Sequence, residues 1–128
     1  MPRASVWLIR LALLHLLVAT ILGGWLLVAK SGMTPPPSST LSTHAAGALL
    51  GWLVQFTLGV GYWILPKHAT GPARGPTWAP WTTLATLNTA IILTALNLPI
   101  LALSIATLSI LIFLTTTIPR LKPFGRPP

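Results

Sequence analysis

The chain is predicted to be all-α, an integral membrane four-helix bundle with both termini cytoplasmic, and three observations carry that prediction. Its 128 residues are 53% hydrophobic and only 6% charged, whereas a soluble domain carries about a quarter charged residues. The apolar residues gather in runs long enough to cross a bilayer. The eight Lys and Arg residues fall at the edges of those runs rather than along a water-facing stripe.

Each helix follows from a run and its boundaries. A bilayer core of about 30 Å needs about 20 apolar helical residues. Leu11 to Ala29 is an uncharged run of 19 residues bounded by Arg10 and Lys30. Ala45 to Leu65 is interrupted only by Gln55 and Thr57 and stops at Pro66-Lys67. From Gly75 to Pro119 no charge appears for 45 residues, which as one helix would measure roughly 68 Å and overshoot a single span. That segment therefore folds back, and Asn97-Leu98-Pro99 is the natural corner, since proline lacks the amide donor and disfavours helix before it. The expected spans are about 6–29, 43–65, 79–97 and 99–118, in one domain covering 1–128.

Orientation follows from the cations. With the N-terminus inside, Arg3, Arg10, Lys67, Arg74, Arg120, Lys122 and Arg126 lie on the inner side, and only Lys30 lies outside. The first run exceeds the 7–15 residues of a signal-peptide core, so it is read as a retained span. The connection at 31–42 is a short outer loop, with Ser42 or Thr43 as helix cap. The stretch from Pro66 to Pro80, broken by Gly71-Pro72 and Gly75-Pro76, is an irregular inner loop. The expected location is a bacterial inner membrane, with the lipid bilayer as solvent.

Composition removes most chemistry. There is no Asp, Glu or Cys, which excludes carboxylate acid–base pairs, Ser-His-Asp triads, thiolate nucleophiles and Cys-ligated metals. The net charge of +8 sits at span edges, so no nucleic-acid partner is expected. The chain is not expected to be an enzyme on its own.

The second span holds most of the information. His44, Ala48, Gly51, Gln55 and Leu58 recur at helical spacing and share a face. Gly47 and Gly51 form a small-xxx-small pair that lets another backbone approach closely. The same pair would let a flat macrocycle lie on the helix beneath an axial histidine, so packing and cofactor readings both stand. Trp7, Trp63, Trp78 and Trp81 fall near the inner interface and Trp25 near the outer one, an aromatic belt. Trp52, in mid-span, is expected to pack against a helix or a bound group. The third span is rich in threonine and carries Asn88, which suit hydrogen bonds along or across helices.

Imidazole is the only strong metal or haem ligand the chain offers. His68 is a loop residue. His15 lies about 14 residues, roughly 20 Å, below the outer end of its helix, whereas His44 begins its helix at the outer side. One iron cannot be bracketed by both.

The stretch Thr43-His44-Ala45-Ala46-Gly47-Ala48-Leu49-Leu50-Gly51-Trp52-Leu53-Val54-Gln55, continuing through Gly59-Val60-Gly61-Tyr62-Trp63 to Pro66-Lys67, resembles the second-helix signature of small four-helix proteins related to cytochrome c oxidase subunit I. Arg10, Gly23-Gly24, Asn88, Ile118-Pro119-Arg120 and Lys122-Pro123 are compatible with the other three helices. By this resemblance His44 is the position that inherits haem ligation, with haem b as cofactor. The His-x-His often seen there is Ser42-Thr43-His44 in this chain, and the later helices that supply copper ligands have no counterpart.

The expected role is an accessory subunit of a bacterial electron-transfer complex, respiratory or photosynthetic, whose partners are that complex's other subunits. The alternative is a haem b-binding electron carrier using His44. A small transporter, its path lined by Gln55, Asn88 and threonines, is the third reading.

Overall fold

The computed structural model describes residues 1–68 and 73–121. The expectations placed on Gly71-Pro72, Lys122, Pro123 and Arg126 lie outside the described residues. Four helices run in series: α1 (Arg3–Lys30), α2 (Thr40–Ile64), α3 (Trp78–Ala95) and α4 (Pro99–Thr117), the last ending in a 3-10 turn, Ile118–Arg120. The first, second and fourth are long and apolar enough to cross a membrane. Helix α3, with 18 residues that include five threonines and Asn88, falls short of the other three in hydropathy.

The helix boundaries have local causes. Helix α1 closes where the Ser31 and Gly32 amides donate to the Val28 and Ala29 carbonyls, with Gly32 at φ +82° taking the left-handed position that glycine occupies without strain. Helix α2 stops as Leu65 turns extended ahead of Pro66. Pro80 sits in the first turn of α3, where a missing amide leaves no carbonyl unpaired. The long uncharged segment does turn at the expected corner. Asn97 adopts φ +60°, which asparagine tolerates better than most residues, and Pro99 opens α4.

Helices α1 and α2 are antiparallel and very close. Small residues on α2 face α1 in matched register: Gly47 opposite Ala19, Gly51 opposite His15, Gly59 opposite Leu8 and Ile9. A methyl group at Gly59 would come within 2.9 Å of the Leu8 Cβ, so the backbone itself forms this interface. The middle of α2, Gly47–Val54, is wound as a π-helix. Four residues of α-helix overshoot a full turn by about 40°, so residues spaced by four drift round the helix. The wider π turn reduces that drift and keeps Gly47, Gly51 and Gln55 all facing α1.

Helix α3 packs against α2, and α4 lies along α3. Leu87, Ala90 and Ala106 form the buried centre, flanked by Leu50, Val54, Leu58 and Ile105. What is buried is mostly small or polar: Ala4, Ala12, Ala19, Ala79, Ala102, Ser5, Thr83, Ser109 and Gln55. Large apolar side chains, among them Leu13, Leu17, Ile21, Leu49 and Leu103, point outward. This distribution inverts that of a water-soluble domain.

All six tryptophans lie on the outside of the bundle, Trp52 included. Trp52, expected to pack against a helix or a bound group, is at 37% exposure the least exposed of the six. With Gly51 and Gln55 turned to α1, residue 52 lies about a quarter-turn round the wider helix from Gly51 and faces away from α1.

The register of α1 on α2 yields a direct test. A methyl group at Gly51 would overlap the His15 ring, lying 2.5 Å from Cγ and 2.8 Å from Cβ. The His15 Cβ is fixed to its backbone and cannot move without displacing α1, so Gly51→Ala should destabilise the folded protein by about 1–3 kcal/mol in a detergent unfolding assay. Gly24 has nothing within 4 Å, and Gly24→Ala should be neutral or stabilising by up to about 1 kcal/mol.

Candidate functional site

Two histidines and a glutamine occupy the seam between α1 and α2. The His44 ring lies on the α1 backbone at Gly23, whose missing side chain makes the space: a Cβ there would sit 2.9 Å from Cε1 of the imidazole. The His44 Nδ1 is 2.8 Å from the Ala19 carbonyl oxygen. A carbonyl only accepts, so Nδ1 carries the proton, and in the neutral ring Nε2 keeps its lone pair. A histidine tethered in this way through Nδ1 to a backbone carbonyl is arranged as metal-bound histidines are.

The ring edges a groove of about 720 Å3 lined by Gly23, Leu26, Leu27, Ala29, Lys30, Leu41 and His44. Its wall is apolar apart from the imidazole and the Lys30 ammonium. A haem fits this donor set to the extent that His44 Nε2 is an open nitrogen ligand and Lys30 is a cation for a propionate. When bound, such a group supplies one-electron redox chemistry. The residues of this chain would ligate it, screen it from water and pair its carboxylate.

His15 is used differently. Its Nδ1 donates to the Leu11 carbonyl of its own helix at 2.9 Å, and its ring fills the notch at Gly51. Along α2, Gly51 and His44 are seven residues apart, about 10 Å, so the two rings do not face one common point. Among the described residues no group of three or more His, Cys, Asp or Glu could hold a metal ion. His68 lies in the loop after α2, its amide donating to the Ala73 carbonyl at 2.8 Å. Gly47 and Gly51 are engaged by Ala19 and His15, so the contacts they display are helix packing.

A polar chain crosses three helices nearby. Gln55 is fully buried; its Nε2 donates to the Leu8 carbonyl at 3.2 Å and its Oε1 accepts from Asn88 Nδ2 at 3.0 Å. Asn88 Nδ2 also donates to the Leu84 carbonyl at 2.7 Å. On the α3–α4 side, Ser109 donates to the Thr83 carbonyl at 3.2 Å.

At the opposite end from His44, Arg120 caps α2. Its Nε donates to the Pro66 carbonyl at 2.9 Å, and Nη2 donates to the carbonyls of Tyr62 and Leu65 at 3.2 and 2.8 Å. These are the carbonyls a helix leaves unpaired at its C-terminus, where a cation also meets the negative end of the helix dipole. The guanidinium lies 5.2 Å from the centre of the Tyr62 ring, which itself meets Phe113 edge-on.

Sequence reasoning singled out His44 and Gln55 but gave Gly23 no part in seating His44, and treated Arg120 as an interface charge. Gly23-Gly24 in an otherwise bulky apolar helix was the available signal for the first. The second had none, since capping joins residues more than fifty positions apart. Compared with known proteins, the chain matches no protein-family model, no curated protein and no solved structure.

The Gln55–Asn88 bond is testable as a pair. Gln55→Leu and Asn88→Leu should each destabilise the protein, and the double variant should lose less than their sum. A coupling of about 0.6 kcal/mol, at most about 1.7, is expected for a hydrogen bond in an apolar surround. Strict additivity would mean that the two amides do not bond.

Proposed function

We propose that this chain is a small multi-pass membrane protein serving as a non-catalytic accessory subunit of a bacterial electron-transfer complex, with both termini on the cytoplasmic side. The inverted surface supports the membrane reading: bulky apolar side chains face outward while alanine, glycine, serine and threonine fill the interior. Orientation rests on the cations. Arg3, Arg10, Lys67, Arg74 and Arg120 gather at one end of the bundle and Lys30 stands at the other, the asymmetry of the positive-inside rule. The similarity of residues 43–67 to the oxidase second helix supports the electron-transfer role, and the absence of acids and thiols supports a part without catalysis of its own.

A second reading, haem b ligated by His44, is favoured by one observation: the Nδ1 tether to Ala19 that leaves Nε2 open beside the groove. The transporter reading is weaker, because Gln55 and Asn88 spend their hydrogen bonds on each other and on backbone carbonyls rather than lining a path.

One preparation tests both readings. Purified from native membranes in mild detergent, the protein should bring redox-active subunits with it; a stable isolated monomer with none would contradict the subunit assignment. A reduced-minus-oxidised spectrum of the same chain expressed alone decides on haem. A b-type band that is lost in folded His44→Ala makes the chain a carrier, and a flat spectrum from folded protein removes the second reading.

A further inference from the structure

We propose that the end of the bundle opposite His44 holds a phosphate-class oxyanion between Arg120 and Arg74. The argument begins with donors. A guanidinium has five N–H groups. Three of those on Arg120 are spent on the carbonyls of Tyr62, Leu65 and Pro66. Both Nη1 hydrogens remain, on a side chain only 3% exposed, and Nη1 has no partner. The Nε of Arg74 is likewise buried and unpartnered.

The loop that carries Arg74 packs on the end of the helix that carries Arg120. Gly75, next to Arg74, packs close to the end of α4: a Cβ there would lie 3.5 Å from the Thr116 carbonyl and 3.8 Å from His68 Nε2. Burial is what chiefly disfavours the charged Arg120 guanidinium, and the like charge of Arg74 adds a smaller push in the same direction. Buried N–H donors left unpaired are costly, and buried like charges more so, unless an opposite charge joins them.

This chain cannot provide one from its side chains, for it contains no Asp or Glu. A counter-anion from outside the chain supplies the missing acceptors. It must offer several acceptor oxygens to donors on two guanidinium forks, which is the geometry of a phosphate. Two sources share that chemistry, the headgroup of an anionic phospholipid and free inorganic phosphate. The lipid source rests on the membrane reading above; the anion site itself does not.

The test is thermal unfolding of the full chain in detergent, titrated separately with phosphatidylglycerol, phosphatidylcholine and inorganic phosphate. Saturable stabilisation by phosphatidylglycerol but not phosphatidylcholine identifies a lipid headgroup, and stabilisation by inorganic phosphate identifies the free ion. Arg74→Gln should weaken the effective ligand about tenfold, the loss of one charge-assisted contact. Arg74→Lys, which keeps the charge but lacks the Nε donor, serves as second variant and should weaken it in the same direction. Lys67→Gln removes an equal charge from the same loop at an exposed position and should leave the midpoint unchanged. The proposal is overturned if neither anionic ligand stabilises the wild-type protein, or if Lys67→Gln weakens binding as much as Arg74→Gln. In the first case an acidic group on a partner protein becomes the counter-charge to seek.

Discussion

The close approach of α1 to α2 governs the rest of the molecule. It exists because α2 offers glycine at 47, 51 and 59 where α1 offers Ala19, His15 and Leu8. Glycine at these positions does two things at once. It admits a neighbouring backbone, and it leaves notches into which rings can be set. His15 sits in the notch of the opposing helix at Gly51, and His44 sits reciprocally in the notch at Gly23. The two contacts are related by the antiparallel register, so a shift that removes one removes the other. Gln55 depends on the same register for its bond to the Leu8 carbonyl, while its other bond, to Asn88, ties α2 to α3.

Such an architecture draws its stability from packing and hydrogen bonds more than from exclusion of apolar surface, because so many large side chains remain outside. The interior is accordingly polar in places that a soluble core would fill with leucine. The part-buried threonines at 86 and 94 turn their hydroxyls onto carbonyls one helical turn back, satisfying themselves without a partner helix. Arg120 has the corresponding role between elements. It joins the end of α4 to the end of α2 by covering the carbonyls of Tyr62, Leu65 and Pro66.

Much of this was legible in the sequence. The four helices begin and end within three residues of the expected spans, because charges, prolines and run lengths delimit them locally. The turn at Asn97-Leu98-Pro99 follows from the chemistry of those residues. The shared face of His44, Gly51 and Gln55 was visible from spacing. What escaped depends on how two helices meet. The π turn at Gly47–Val54 is invisible to a 3.6-residue period, and it goes with the outward placement of Trp52. The seating of His44 on Gly23 requires the α1–α2 register, and the capping by Arg120 requires knowing that the ends of α2 and α4 coincide. The third run was read as a span like the others, yet its threonines and Asn88 leave it less apolar than its neighbours.

The most consequential feature is the His44 imidazole, held by α1 with one nitrogen committed and the other open to the groove. Nitrogen-15 NMR of histidine-labelled protein in lipid nanodiscs tests it directly. The account predicts that the neutral His44 ring is protonated at Nδ1 and carries its lone pair on Nε2, with Nδ1–H coupled to the Ala19 carbonyl. A His44 ring protonated at Nε2 and open at Nδ1 would contradict it, since the tether to α1 and the free Nε2 lone pair would both be lost.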